Sequence, residues 1–196
     1  MWGLLLTMYN VPERRTMYAD VVQFYQERNV PLYIVDAANH GMPGVPSERQ
    51  VCFDQHAQPE AEHCRTSTHW ELLALQRFVH SPVFAAAAEK HRYLFKLTAK
   101  YKLLELQRVL DQHVGRFSPH YFVQHLQLGG RQNCEIVGFA CARMPAQLQQ
   151  LRALPGILEE RLRRLLREHH VVARRLPPLR NAAPYRRGCG RHLHVL

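Results

Sequence analysis

The spacing of apolar and polar positions changes several times along the chain, and each change predicts an element. "WGLLLTMYN", residues 2–10, begins with an apolar run that reads as a strand ending at Asn10. "PERRTMYADVVQFYQERN" follows, with Pro12 suited to a helix's first turn and Met17, Val21, Phe24 and Tyr25 at helical spacing. "PLYIVDAANHG" then runs continuously apolar from Leu32 to Val35 and closes on Asp36. Such a run suits a strand covered on both faces, as in parallel sheets. Strand, helix and strand in this short span form a βαβ unit.

The next stretch, "GMPGVPSER", is a loop by its Gly and Pro content, and "VCFDQ" predicts a short third strand. Ser67 or Thr68 is placed to cap a helix over "HWELLALQRFVHSPVF", which "AAAAEKH" completes or extends. "YLFKLTAKYKL", Tyr93 to Leu103, alternates at first as a strand does. Leu103, Leu106, Val109 and Leu110 then repeat as a helix does. The reading is a strand over 93–97, a turn over 98–101 and a helix over about 102–113. "YFVQHLQLGG" and "NCEIVGFACAR" predict two more strands joined by the turn chemistry of "GGRQN". "PAQLQQLRALPGILEERLRRLLREHHVV" is helical apart from a break at Pro155–Gly156. The expected architecture is an α/β domain over residues 1–176, an open sheet flanked by helices. A Pro-, Gly- and Arg-rich segment, 177–196, packs near its site.

Composition narrows the class. With 196 residues and 46% hydrophobic content the chain holds one sizeable core, and no run reaches the length of a membrane span. The start reads as a strand and not as a signal peptide, so the expected location is cytoplasmic. Five cysteines without a CxxC spacing fit neither a disulfide framework nor a zinc ribbon. Of the net charge of +10, residues 161–196 supply +9, with ten arginines against Glu168 alone. The rest is nearly neutral, so nucleic acid is not the expected partner. The basic helix over 157–175 has an apolar stripe that suits docking on the domain's own core. Peripheral contact with an anionic membrane is its alternative use.

Charge inside the domain is more telling. Lys96, Lys100 and Lys102 are three of the chain's four lysines, all within one apolar stretch. Two readings stay open. Lysines beside a strand can solvate an edge, or they can gather an anion beyond the strand's carboxyl end, near a helix amino terminus. Glu135, set in an apolar run, needs a partner or a ligand, and Arg131 or Arg143 would serve as a structural partner.

These stretches, from "TMYN" through "PLYIVDAANHG", "TSTHWELLAL", "YLFKLTAKYKL" and "NCEIVGF" to "YRRGCGRHLHVL", resemble small glycosyltransferase-like proteins of the GT-A type from polysaccharide synthesis. Those proteins carry a Lys-(Ile/Leu)-(Ser/Thr)-Gly-Arg-Tyr-like signature where most GT-A enzymes have Asp-X-Asp. Here Ala99 stands for the glycine and Lys100 for the arginine, which keeps the charge but loses the bidentate fork. The resemblance implies a GT-A-like fold and a nucleotide-sugar donor with a carbohydrate acceptor. It implies that Asn10 and Asp36 lie near base or ribose, and that Lys96, Lys100 and Tyr101 line the diphosphate. Glu71 would lie beside the site and Arg187 would close over the donor. Glu135 would face the acceptor as general base.

Glycosyl transfer builds negative charge on the departing diphosphate, which many enzymes neutralise with Mg²⁺ or Mn²⁺. No Asp-X-Asp occurs, so no cofactor is expected, although a divalent metal stays open, and fixed cations would supply the stabilisation. A non-catalytic anion- or nucleic-acid-binding module, or a relative that binds donor without turnover, is the alternative. His56, His63 and Cys64 match no common zinc spacing, and no P-loop or GxGxxG occurs.

Overall fold

The computed structural model describes residues 1–124, 135–168, 172–177 and 179. In chain order it contains β1 (Trp2–Met8), α1 (Arg15–Gln26), β2 (Leu32–Asp36), β3 (Gln50–Cys52), α2 (Ser67–Val79), α3 (Pro82–Lys90) and β4 (Tyr93–Thr98). It continues with α4 (Leu106–Val114), β5 (Tyr121–Val123), β6 (Ile136–Ala140), α5 (Met144–Ala153), α6 (Leu158–Glu168) and β7 (Ala173–Arg175).

The strands form one sheet in the order β3-β2-β1-β4-β6-β5-β7. β3, β2, β1 and β4 run parallel, and β6 alone opposes the rest. From β1 the chain passes through α1 to β2 on one side. It returns to β4 on the other side, so the connections diverge between β1 and β4. In open α/β sheets ligands bind in the crevice outside the carboxyl ends at such a point.

β1 is buried along its whole length because helices cover both faces. Leu4 and Leu6 join Tyr18, Val21, Val22 and Tyr25 of α1 and Leu106, Val109 and Leu110 of α4. Leu5 joins Leu72, Leu75 and Phe78 of α2, Leu148 and Leu151 of α5, and Leu158, Leu162 and Leu165 of α6. The apolar stripe of α6 is thus used in the domain's own core.

The structure corrects several expectations. Thr66, not Ser67 or Thr68, accepts from the His69 N–H and caps α2. The Thr68 hydroxyl instead accepts from the Leu158 N–H at 3.0 Å and ties α2 to α6. The helix expected through residue 91 breaks at His80–Ser81, where Ser81 caps α3 and Pro82 takes its first turn. α4 begins at Leu106, so Lys100 does not sit at its amino terminus. Tyr25 explains the delay. Its hydroxyl donates to Tyr101 O and accepts from Leu103 N, both at 3.0 Å, and so engages these backbone groups before the helix begins. β7 was not expected, and its three exposed side chains show no alternation to reveal it.

Candidate functional site

A cleft of about 190 Å³ opens at the carboxyl ends of β1 and β4. Thr7 comes to it from β1, Tyr9 from just beyond β1, Thr98 from β4, Trp70 and Glu71 from α2, and Arg14 from the residue before α1. Tyr9, His56 and Trp70 form an aromatic edge, with the His56 ring 5.1 Å from that of Trp70 and 6.1 Å from that of Tyr9. Arg14 is the cleft's cation and has no ion pair among the described residues.

The three clustered lysines are neither an edge nor a bare cationic patch. β4 lies between β1 and β6, so its Lys96 is interior, 2% exposed. Alternation aims Lys96 at the α2 face, where its ammonium pairs with Glu71 and donates to the Thr98 hydroxyl at 3.3 Å. Lys100 pairs with Glu135 at 3.3 Å, and Lys102 pairs with Asp20 of α1. Each positive charge meets a carboxylate, as a partly or wholly buried ammonium requires.

Glu135 immediately precedes β6, opposite the end of β4, where its carbonyl accepts from Thr98 N at 3.2 Å. Its carboxylate accepts from the Tyr101 hydroxyl at 2.9 Å. Burial pushes the Glu135 carboxyl up. Lys100 and Lys96 pull it down with help from hydrogen bonds of Tyr101 and Thr98, and the balance is a value below the ordinary 4.5. Burial, followed by the charge of Glu135 and the bond to it, raises the Tyr101 phenol, so that hydroxyl stays a donor. Glu71, Lys96, Thr98, Glu135 and Lys100 therefore form one chain of contacts along the strand end. Its formal charges cancel.

Asp36 is fully buried, and backbone N–H groups occupy its carboxylate. Asn10 N and Ala38 N donate to one oxygen at 2.9 and 3.0 Å, and His40 N and Gly41 N to the other at 2.9 Å each. It shapes the loop after β2. Asn10 is 1% exposed, its amide donates to Gly41 O, and its Oδ1 has no partner. The structure thus brings Glu71 to the cleft wall and joins Lys96, Lys100, Tyr101 and Glu135 through Thr98, with Asn10 and Asp36 behind the loop. Arg187, like Arg131 as a partner for Glu135, lies outside the described residues.

Sequence reasoning missed Arg14, Trp70 and Tyr9. The location rule for open sheets would have found Tyr9 and Arg14, which lie in the segment between β1 and α1. Trp70 gave no signal apart from its neighbour Glu71. Among the described residues, three carboxylates at this end of the sheet are already engaged. Asp36 is saturated by N–H groups, and Glu71 and Glu135 are each held by lysine. No cluster of three or more His, Cys, Asp or Glu suited to a metal occurs among the described residues.

Solved structures that share the architecture include a glycosyltransferase involved in glycosylation of the major capsid of PBCV-1. It aligns with a TM-score of 0.50 at 8% identity, over 89% of this chain and 79% of its own. A protein from Desulfovibrio desulfuricans G20 described as a nucleotide-diphospho-sugar transferase aligns with a TM-score of 0.50 at 14% identity. That match covers 90% of this chain and 79% of the other. No family model and no curated protein matches the chain. The fold is GT-A-like, that of nucleotide-diphospho-sugar transferases. Identities this low carry the architecture and leave the reaction to be argued from the site.

Proposed function

We propose that the chain transfers a sugar from a nucleotide-diphospho-sugar to a carbohydrate acceptor, with side-chain cations in place of a divalent metal. One observation carries this reading: the cleft at the divergence of β1 and β4 presents Arg14 with no carboxylate partner among the described residues, and Thr98 in its wall is hydrogen-bonded to Glu135, the partner of Lys100. The shared fold supports the class of reaction.

In this mechanism the acceptor oxygen bonds to the donor's anomeric carbon as the bond to the diphosphate oxygen breaks. Charge then grows on the leaving diphosphate. Arg14 offers it a planar guanidinium, and Lys100, about a third exposed, turns from Glu135 toward it. Arg187 would add a further cation. Asn10 and Asp36 shape the loop that borders base and ribose, and Lys96 and Glu71 brace the cleft wall. Glu135 takes the acceptor's proton, and losing Lys100 to the diphosphate makes it the stronger base this step needs. The order is donor first, acceptor second. Contact with an anionic membrane would rest on the charges of Arg163, Arg164 and Arg167, because the stripe beneath them is buried.

A second reading, donor binding without turnover, draws on the same pair: while Lys100 stays on Glu135, the carboxylate's proton affinity is low. Mixing the purified chain with nucleotide-sugars and oligosaccharide acceptors, with EDTA or with Mn²⁺, separates the readings. Nucleoside diphosphate released with acceptor dependence in EDTA supports metal-independent transfer. Release only with Mn²⁺ contradicts that part, and binding without release leaves the second reading.

A further inference from the structure

On the opposite face of α2 from the cleft lies a second cavity of about 240 Å³, closed by the turn before α2 and by α5 and α6. Glu60, His63, Cys64, His69, Arg152 and Arg161 line it beside Leu72 and Leu73. Nothing in the proposed transfer uses these residues.

Arg161 is the central feature. Only 6% of it is exposed, and no carboxylate lies within ion-pair distance among the described residues. Its Nε donates to Gly156 O at 2.6 Å, and Nη1 donates to Leu151 O at 3.3 Å and Arg152 O at 3.2 Å. These bonds cap the carboxyl end of α5 and satisfy most of the group. They do not neutralise its charge, and burying an unpaired cation is costly.

The remaining nitrogen, Nη2, faces His69 Nε2 at 3.2 Å, while the Arg65 N–H points at His69 Nδ1, also at 3.2 Å. A neutral imidazole carries one ring proton and has one lone pair to offer, so it cannot accept both donors. One of the two contacts is donor against donor. Arg152 adds a second guanidinium, and the wall's carboxylate, Glu60, is already taken by Arg77 at 2.8 Å. The cavity therefore holds more N–H donors than acceptors and more positive than negative charge.

An oxyanion corrects both imbalances. It accepts from Arg161 Nη2, from Arg152 and from the Nε2–H of a neutral His69, whose Nδ1 is then left to accept from the Arg65 N–H, and it neutralises the buried guanidinium. Ligand pockets for drug-sized molecules span about 300–1,000 Å³. This cavity is smaller and suits a compact ligand. We propose that it binds the phosphate group of a small phosphorylated ligand through Arg161, Arg152 and His69, independently of the donor cleft.

Cys64 in the wall supplies the reporter. The full chain is alkylated with iodoacetamide at pH 8.5 with increasing inorganic phosphate, with glucose 1-phosphate, or with chloride at matched ionic strength. Peptide mass spectrometry gives the rate at each cysteine, with exposed Cys52 as internal control. Phosphate is expected to slow Cys64 labelling at least threefold and saturably with Cys52 unchanged, and chloride to have no effect. Tighter protection by glucose 1-phosphate identifies a phosphorylated metabolite, and equal protection a free phosphate. Arg152 also donates from Nη1 to the Gln76 side-chain oxygen; Arg152→Gln keeps an amide donor for that contact and is expected to raise the half-saturating concentration about tenfold. Arg14→Ala, in the other cleft, is expected to leave it unchanged. Absence of saturable protection, equal protection by chloride, or protection unchanged by Arg152→Gln would each overturn the site without touching the donor-cleft reading.

Discussion

The Lys96 ammonium and the Glu71 carboxylate meet in the interior between β4 and α2, the lysine side chain 2% exposed and the glutamate's 25%. Removing one partner leaves the other's charge buried. Glu71→Gln should therefore cost about 3 kcal/mol, the lower end for a broken buried pair because Glu71 is partly hydrated. Lys96→Met added to it should recover most of that loss. Urea unfolding of the two single variants and the double variant measures the coupling, and additive losses would contradict it.

Asp36 predicts a sharper isosteric effect. In Asp36→Asn one oxygen becomes an NH₂ group that must face two backbone N–H donors. Losing charge-assisted bonds and opposing donors should together cost about 3 kcal/mol. Amide hydrogen exchange should accelerate at Asn10, Ala38, His40 and Gly41 before other positions.

Glu135 predicts a pH dependence. Its folded value lies below its unfolded one. Its contribution to stability is thus fully present above about pH 4.5 and is lost as pH falls through the lowered folded value. Lys100→Met removes the largest cause of the lowering, so burial is less opposed and the midpoint should move up. Tyr101→Phe should move it the same way by less. Carboxyl-carbon NMR reads both, and a midpoint unmoved by Lys100→Met would contradict the pairing.

Gly138 marks the tightest place in the sheet. A Cβ there would lie 2.4 Å from Phe95 Cε1 and 2.9 Å from Phe122 Cβ. These rings fill the β4–β6–β5 core and cannot move away freely. Gly138→Ala should destabilise by about 2–3 kcal/mol in thermal or urea unfolding, the overpacking range.

The frame was legible in the sequence where burial alone decides structure. Apolar runs marked β1, β2 and β4, and Pro155–Gly156 marked the break between α5 and α6, where Gly156 takes φ +100°. The rule that ligands bind beyond strand carboxyl ends pointed to the end of β4, which borders the cleft. Charge pairing was not legible: Glu71 lies twenty-five residues before Lys96, and only the packing of α2 on β4 joins them. The loop after β2 hid the role of Asp36, because four N–H donors converge through turn geometry that no spacing encodes. Ser81–Pro82 was a readable helix start, masked by the apolar residues on either side of it.

The donor cleft is tested most directly by calorimetric titration of UDP and GDP into the wild-type chain and into Arg14→Ala, in EDTA. The account predicts saturable binding of at least one nucleoside diphosphate, weakened about tenfold by Arg14→Ala while unfolding stability stays unchanged. No binding of either diphosphate, or equal binding by the variant, would contradict it.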